Sequence, residues 1–325
     1  MKIAVTGAGG HVGVCLCNTL LSEGYEVKAL VHHVDTGISD LPITIVRGSI
    51  SDTASLKELM SGCDGVIHTA GIIDLGYHYN QKLADINVEG TGNVLSMAKE
   101  LGINKLVHFS SIHAFSQKPY SESLDETRHF VNNKAIFYDQ TKRDGHQLAL
   151  QAAEKGLDVS IVCPTSVLGP PDHQPSKLGK AIIDICKGYV PAVVKGGFDF
   201  VDVRDVVNGA IAALKKGRKG ETYLLGGKYY TLKQFSDLVL EAKGVKKRLP
   251  ELPLAVATIG LPFVKLYAAL TKKEPLYDKE YIDILQDGNK LISTAKAQAE
   301  LGYTARDLKE TLTDTVNWFR QAGKI

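Results

Sequence analysis

The first half of this 325-residue chain alternates short apolar strands with amphipathic helices, and this alternation restricts the fold more than any other feature of the sequence. Such a pattern is typical of a doubly wound parallel sheet, in which right-handed crossovers place helices on both faces. We therefore predict an α/β fold. The predicted strands cover residues 2–6, 26–32, 43–46, 65–68, 105–110 and 158–163. The predicted helices cover residues 12–23, 55–61, 88–101 and 137–155.

A glycine-rich turn follows the first predicted strand. Gly7, Gly10 and Gly13 stand three residues apart, and His11 and Val12 lie between the last two. Absent side chains let the backbone turn tightly and let a pyrophosphate approach the N-terminus of the next helix. Three glycines in register at the first crossover favour a dinucleotide site over a plain strand-to-helix turn. We therefore expect these residues to bind a cofactor on a Rossmann-type sheet.

The pattern changes after Pro164, where four prolines between residues 164 and 175 interrupt the chain. The later helices and short strands no longer alternate strictly. We predict a dinucleotide-binding domain over residues 1–167, to which residues 199–227 return. A smaller, interleaved C-terminal substrate lobe would then comprise residues 168–198 and 228–325.

Tyr138 and Lys142 are four residues apart in a predicted helix, so their side chains share one face. A nearby ammonium group favours the phenolate form of a tyrosine, whose ordinary pKa is about 10, and so prepares it for proton transfer near neutral pH. The same spacing recurs at Tyr229 and Lys233. That second copy falls on a predicted strand, glycine turn and helix start, and we interpret it as structural.

Two serines end the strand that precedes the first tyrosine and can bring a hydroxyl group to it. Adjacent strand residues point to opposite faces, so only one of the two should face the site. We assign Ser111 to hydrogen-bond a substrate carbonyl oxygen as negative charge develops there, with Ser110 as the alternative. His68 and His113 receive no acid–base role, because a tyrosine and a lysine are available for it.

The net charge and the cysteine content argue against nucleic-acid-binding, metal-binding and disulfide-rich proteins. The net charge is +2, and the basic run at residues 215–219 matches a helix C-terminus with its loop, so we expect no nucleic-acid partner. Five cysteines show neither metal-ligand spacing nor a disulfide pattern, which predicts no metal site and fits a reduced cytoplasm.

The apolar segment at residues 252–270 approaches the ~20 residues of a membrane span, but two prolines, a glycine and a lysine interrupt it. We expect no transmembrane span. We predict instead that this segment forms a helix pair that covers an apolar pocket. The alternative is that it makes shallow contact with a membrane surface.

Together the motifs resemble those of the extended short-chain dehydrogenases/reductases, the superfamily of NAD-dependent epimerases and dehydratases. The likeness covers roughly the whole chain. Besides the glycine turn and the Tyr-x-x-x-Lys pair, it includes HTAG at 68–71, NVEGT at 87–91, the two serines at 110–111 and PTSVLGP at 164–170. The segments IHTAGIID at 67–74 and FVDVRDV at 200–206 are more similar to the dihydroflavonol-reductase-like and 3β-hydroxysteroid-dehydrogenase-like branch than to nucleotide-sugar epimerases.

The resemblance implies that Ser111, Tyr138 and Lys142 are catalytic. It also extends the cofactor site beyond the glycine turn. The implied further cofactor-binding residues are Lys28, His32, Ser49, Ile50, Thr69, Ala70, Gly71, Asn87, Tyr138, Lys142 and Pro164. Relatives commonly carry an aspartate where Ser49 stands, so only a weaker adenine contact by Ser49 or the Ile50 backbone is implied. Asn87 is expected to hold a backbone group or a water in a proton path, with a helix N-cap role as the alternative.

The choice of cofactor depends on the end of the second predicted strand. An acidic residue there would bind the ribose hydroxyl groups of NAD, but Asp35 arrives late. Lys28 and His32 could instead meet a 2′-phosphate. We therefore predict NADP, with NAD as the alternative.

These features predict an NAD(P)-dependent enzyme that interconverts a ketone or aldehyde and the matching alcohol on a fairly apolar small-molecule substrate. One alternative is a nucleotide-sugar epimerase or dehydratase on the same fold, whose substrate diphosphate would need arginines. Another is a non-catalytic protein that senses the dinucleotide. The resemblance also allows a homodimer formed through the helices that begin at Val88 and Phe137.

Overall fold

Seven parallel strands form the central sheet of the structure, a computed structural model that describes residues 1–33, 36–256, 258 and 288–325. The strands in the described residues are β1 (Lys2–Thr6), β2 (Glu26–Val31), β3 (Thr44–Arg47), β4 (Gly65–His68), β5 (Lys105–Phe109), β6 (Val159–Pro164), β7 (Ser166–Leu168), β8 (Val193–Val194), β9 (Gly197–Asp202), β10 (Thr222–Leu225), β11 (Lys228–Thr231) and β12 (Glu251–Leu252). The order across the central sheet is β3-β2-β1-β4-β5-β6-β10, and each neighbouring pair is parallel. The predicted α/β fold with a doubly wound sheet is confirmed.

Helices cover both faces of this sheet. In the described residues they are α1 (His11–Ser22), α2 (Thr53–Met60), α3 (Gln81–Ala84), α4 (Thr91–Glu100), α5 (Phe137–Glu154), α6 (Lys177–Lys187), α7 (Val203–Lys216), α8 (Leu232–Lys243), α9 (Ala295–Leu301) and α10 (Leu308–Gln321). A π-helical segment, Asp85–Gly90, joins α3 to α4. The helix that the sequence predicts to start at residue 88 therefore begins seven residues earlier, at Gln81.

Alternate residues of β1 supply two different cores, as the period of a strand requires. Ile3 and Val5 are fully buried in the core under α1, α7 and α9. Ala4 is fully buried in the core under α2, α4 and α5. Because both faces of the strand are covered, its sequence is a continuous apolar run.

The smaller lobe carries its own sheets. One has the order β11-β9-β7 and the other pairs β8 with β12. Helices α6, α8 and α10 pack against them and bury a third core that includes Ile182, Val239 and Val316.

The chain passes between the two parts more often than the predicted boundaries suggest. The sequence predicts that the segment 199–227 returns to the central domain. Helix α7 and strand β10 do pack in the central domain, but β9 belongs to the lobe sheet. Helix α9, inside the predicted lobe segment 228–325, instead packs against α7 and β10. The division into domains at the predicted boundaries stays a prediction.

In the part of the chain that the structure describes, no helix has both the length and the apolar character needed to cross a membrane. The apolar segment at 252–270 is described only to residue 256 and at residue 258. The predicted helix pair over an apolar pocket therefore lies outside the described residues.

Candidate active site

The glycine-rich turn lies at the carboxyl edge of the sheet between β1 and β4, where the strand order reverses and α/β sheets bind ligands. Gly7 has a φ of +69°, and a Cβ on it would stand 2.6 Å from the amide nitrogen of Ala70. A Cβ on Gly13 would stand 2.1 Å from the Gly7 carbonyl oxygen. Thr69 Oγ1 donates to the Thr6 carbonyl at 2.7 Å. Only glycine therefore fits at position 7, where the loop after β4 approaches, and at position 13, where helix α1 approaches the turn itself.

Helix α1 presents an uncapped N-terminus to this edge. It begins after Gly10, which provides no side-chain cap, and its first turn contains no acidic residue. The first amide groups and the positive end of the helix dipole can therefore bind an anion. His11 Nε2 donates to the Gly169 carbonyl at 2.7 Å, and the Val12 side chain packs on the core, so these two residues offer the site their backbone amides. These residues fit the pyrophosphate of a dinucleotide.

Asn87 holds the loop that follows β4. Its side chain is buried in the π-helical segment, where Nδ2 donates to the Ile72 carbonyl at 3.0 Å and to Thr141 Oγ1 at 3.1 Å. Its Oδ1 accepts from the Ile72 amide at 2.9 Å. The N-cap alternative is wrong, because a continuous helix runs through residue 87. Asn87 instead fixes backbone groups beside Gly71.

Ser111 and Ser110 have different partners. Ser110 Oγ is buried and lies 2.9 Å from His146 Nδ1. Ser111 caps the short 3₁₀ turn Ile112–Ala114, and its hydroxyl group stands near enough to the Tyr138 phenol to lower the pKa of that group. The structure therefore brings Ser111 rather than Ser110 to the tyrosine.

Tyr138 is buried in the first turn of α5. Burial raises its pKa, the nearby Ser111 hydroxyl group lowers it, and the Asp139 carboxylate raises it, with a net rise above 10. The predicted lowering of this pKa by Lys142 is therefore wrong. The cost of ionising a buried phenol outweighs the favourable interactions around it.

Lys142 lies one turn further along α5. Its Nζ donates to the Phe109 carbonyl at 3.1 Å and would be 3.7 Å from a Cβ on Gly71. Burial lowers the pKa of this ammonium group to about 8. An ammonium group has three donors, so Lys142 retains capacity for ribose hydroxyl groups beside the loop after β4.

A cleft of about 550 Å³ adjoins these residues. Side chains from the 3₁₀ turn, from the segment before α5 and from β9 line it. Its apolar lining residues in the described part of the chain include Ile112, Val131, Ala135, Ile136, Phe198 and Ile292. Its charged lining residues there are His113, Lys118, Lys134, Asp139 and Asp199.

Lys28 is not at the carboxyl edge. It lies in the middle of β2, and its Nζ donates to the carbonyl groups of Glu58 and Ser61 at the end of α2. Its expected contact with a cofactor phosphate is therefore wrong, because helix and strand run antiparallel and the end of α2 lies at the opposite edge of the sheet. His32 directly follows β2, and Arg47 ends β3 opposite Val31. Asp35 lies outside the described residues.

Three other predicted cofactor residues lie at the carboxyl edge. Ser49 follows β3, and its Oγ accepts from the Ser51 amide at 3.2 Å. The Ile50 side chain is buried against Gly90. Pro164 ends β6. The positions agree with an adenosine site after β3, and the contacts themselves stay predictions.

Sequence reasoning missed a pair of residues beside Tyr138. His113 Nδ1 lies 3.0 Å from Asp139 Oδ1, and the two residues are 26 positions apart. Nothing in the local sequence connects them. His68, in contrast, is a buried structural histidine between Thr6 and Thr91, and burial lowers its pKa to about 3.

Comparison with known proteins assigns this chain to a family. Residues 3–226 match the NAD dependent epimerase/dehydratase family. The chain is 31% identical over 331 residues to sterol demethylase protein B of Methylococcus capsulatus, and the match covers 100% of both. It is 28% identical over 335 residues to a 4-hydroxy-2-methyl-3-oxo-4-farnesyl-3,4-dihydroquinoline-1-oxide ketoreductase of Stigmatella aurantiaca, covering 99% of this chain and 97% of the relative.

A solved structure gives the same result. The crystal structure of gox2253 superimposes with a TM-score of 0.85 at 30% identity, covering 100% of this chain and 99% of the other. The chain therefore belongs to the NAD dependent epimerase/dehydratase family and is an enzyme. Further relatives are named as a 3-beta-hydroxysteroid dehydrogenase and as cinnamoyl-CoA reductases, so the predicted resemblance is confirmed. A nicotinamide dinucleotide is the cofactor that the family uses, and the relatives support an oxidoreductase.

Proposed function

We propose that this enzyme uses NADP(H) to interconvert a ketone or aldehyde and the corresponding alcohol on a fairly apolar substrate. The observation that carries the proposal is the contact of Ser111 with the buried Tyr138 phenol beside Lys142, next to a cleft with six apolar lining residues. The name of the Stigmatella aurantiaca relative, a ketoreductase for a farnesyl-bearing compound, supports both the reaction and the apolar substrate.

In the reduction direction, Tyr138 donates the proton to the carbonyl oxygen. Its raised pKa keeps the phenol protonated near neutral pH, which is the form an acid needs. Ser111 donates a hydrogen bond to the same oxygen as negative charge develops. Lys142 binds the ribose and stabilises the phenolate that remains after proton transfer. When bound, the nicotinamide supplies or accepts the hydride.

The epimerase alternative is less well supported. Among the described residues that line the cleft there is no arginine to bind a nucleotide-sugar diphosphate. Arg204 at the start of α7 and Arg306 just before α10 are engaged by Asp202 and Asp205, respectively. Solved epimerases such as the UDP-glucose 4-epimerase of Thermotoga maritima match at 21% identity, and this likeness shows a common fold without supporting a common reaction.

The preference for NADP(H) is supported by the basic residues at the carboxyl ends of two strands. His32 follows β2 and Arg47 ends β3. In this sheet order both positions adjoin the adenosine ribose site that follows β2. We propose that these two residues, rather than Lys28, attract the 2′-phosphate. NAD stays the alternative, through Asp35.

A substrate panel tests the proposed function. Purified enzyme is offered aliphatic, alicyclic and aromatic ketones and aldehydes with NADPH or NADH, and the loss of nicotinamide absorbance is followed. We expect turnover of apolar carbonyl compounds, faster with NADPH. Conversion of a UDP-sugar without net change in cofactor would support the epimerase instead.

A homodimer formed through α4 and α5 stays a prediction that sedimentation can test.

A further inference from the structure

His113 is fixed beside both proposed catalytic hydroxyl groups. Its backbone amide donates to Ser111 Oγ at 3.2 Å. Its ring stands edge-on to the Tyr138 ring with centroids 5.6 Å apart. Its Nδ1 lies 3.0 Å from Asp139 Oδ1, on the residue that follows Tyr138. The imidazole is therefore held in one orientation next to the position where the reacting carbonyl oxygen would bind.

The other ring nitrogen of His113 is available to a ligand. The side chain lines the cleft and is 33% exposed. Its Nε2 has no hydrogen-bond partner among the residues that the structure describes. Since Nδ1 donates to a carboxylate, a neutral ring would carry a lone pair on Nε2, and only the imidazolium has a hydrogen there.

The surrounding charges favour that imidazolium. Burial lowers the pKa of His113, but attraction and hydrogen bonding by Asp139 outweigh burial, and the net pKa is raised above 6.5 despite the nearby Lys142. Along the cleft stand Lys118 and Lys134, and the carboxyl of Asp199. Burial raises the pKa of Asp199, and its Oδ1 accepts hydrogen bonds from Thr165 Oγ1 at 2.7 Å and from the Gly227 amide at 2.8 Å. An oxygen with negative charge or a strong lone pair is the group that this wall attracts.

We propose that the imidazolium of His113 donates through Nε2 to a second oxygen of the substrate, so that the enzyme prefers dicarbonyl compounds and keto acids to simple ketones. This inference rests on the proposed function. Because His113 contacts both Ser111 and Tyr138, the second oxygen must stand on a carbon close to the reacting one. Asp139 is then a positioning residue that orients the ring and keeps it charged.

The test compares substrates of matched size. Cyclohexane-1,2-dione and cyclohexanone differ by one carbonyl oxygen, and benzoylformate and acetophenone differ by a carboxylate against a methyl group. In His113→Phe, which keeps an aromatic ring against Tyr138, we expect kcat/KM to fall about 10-fold to 100-fold for the dione or the keto acid, the range of a hydrogen bond to a charged group. The simple ketones should stay within about twofold. His129→Phe, which alters an exposed histidine at a separate cavity, should change neither.

The dione arm and the keto-acid arm distinguish a neutral from an anionic second oxygen. Equal losses on simple ketones and on oxygen-bearing substrates would overturn the proposal and leave His113 a purely structural role. Absence of any carbonyl turnover by the unaltered enzyme would instead overturn the proposed function.

A pH series on the unaltered chain does not depend on the folding of a variant. The preference for the dione should be greatest below the pKa of His113 and should disappear as pH rises through it, because the donor form is the acid form. Asp139→Asn removes the group that raises this pKa, so the loss of preference should occur at lower pH. A preference that does not vary with pH in either protein would contradict the proposal.

Discussion

Two copies of the spacing Tyr-x-x-x-Lys occur in this chain, and the structure gives them different environments. Tyr138 and Lys142 lie on the same face of α5. Tyr229 lies in β11, whereas Lys233 lies in the first turn of α8. Residues four apart face each other only on a helix. The spacing therefore brings the two side chains together only when a helix carries both residues.

The partners of the two lysines differ as well. Lys142 meets a single backbone carbonyl and has a pKa lowered to about 8 by burial. Lys233 forms an ion pair with Asp237 at 2.5 Å, one turn along α8. A lysine engaged by a carboxylate has less capacity for a ligand, so the second pair is structural, as its sequence context predicts.

The largest effect should come from the first tyrosine. Tyr138→Phe removes the proposed proton donor and leaves the buried ring in place, so kcat should fall by about 10² to 10⁴ while the Kd of the cofactor stays close to that of the unaltered enzyme. Tyr229→Phe is the matched control and should leave kcat almost unchanged. Steady-state kinetics and a fluorescence titration of the cofactor measure both quantities. Full activity of Tyr138→Phe would remove the basis of the mechanism.

The two serines give the next largest contrast. Ser111→Ala should lower kcat by about 10² to 10³, because one donor to the developing negative charge is lost. Ser110→Ala should instead leave His146 Nδ1 with only the weak contact to Cys163 Sγ at 3.8 Å and lower the free energy of unfolding by about 1 to 3 kcal/mol. Urea denaturation and kinetics on both variants separate the two roles. The same loss of kcat in Ser110→Ala would show that the assignment is reversed.

Much of the central sheet could be predicted from the sequence. β1 and β4 begin and end at the predicted residues, because a short apolar run that ends at a glycine-containing turn is a local signal. The helix around Asn87 was harder to delimit. Its π-helical turn depends on long-range contacts of the Asn87 side chain with Ile72 and Thr141, which no local pattern reveals.

The site was predictable where a motif specifies the backbone and unpredictable where it depends on tertiary contacts. The glycine turn follows the first strand as predicted, because the tight backbone there requires glycine at positions 7 and 13. The orientation of Lys28 depends on which end of α2 is next to β2, and sequence alone did not provide it. The pKa of Tyr138 depends on how completely the fold buries the phenol. The contact of His113 with Asp139 depends on the packing of two segments that are 26 residues apart in the sequence.

Replacement of the basic residues proposed to bind the 2′-phosphate should have a smaller effect than loss of a catalytic hydroxyl group. Combined His32→Ala and Arg47→Ala should weaken NADPH binding by about 1 to 3 kcal/mol, the scale of hydrogen bonds to a charged group, and leave NADH binding nearly unchanged. Lys28→Ala should affect neither, because its ammonium group is bound at the end of α2. Titration of both cofactors into the three proteins decides the matter. A preference of the unaltered enzyme for NADH would indicate that Asp35 binds the ribose.

The smallest effect should come from the second lysine. Lys233→Met removes an ion pair between side chains that are 28% and 26% exposed, on a helix where lysine precedes the acidic partner. Such i, i+4 pairs contribute about 0.3 to 0.5 kcal/mol, and this order of the charges is the weaker one. The free energy of unfolding should therefore fall by no more than that amount, with kcat unchanged.

The matched variant of the first lysine should behave differently. Lys142→Met should reduce both kcat and cofactor affinity, because its ammonium group stands beside Gly71 at the proposed ribose site. If the two lysine variants lost activity equally, the spacing itself, rather than the helix that carries it, would be the functional feature.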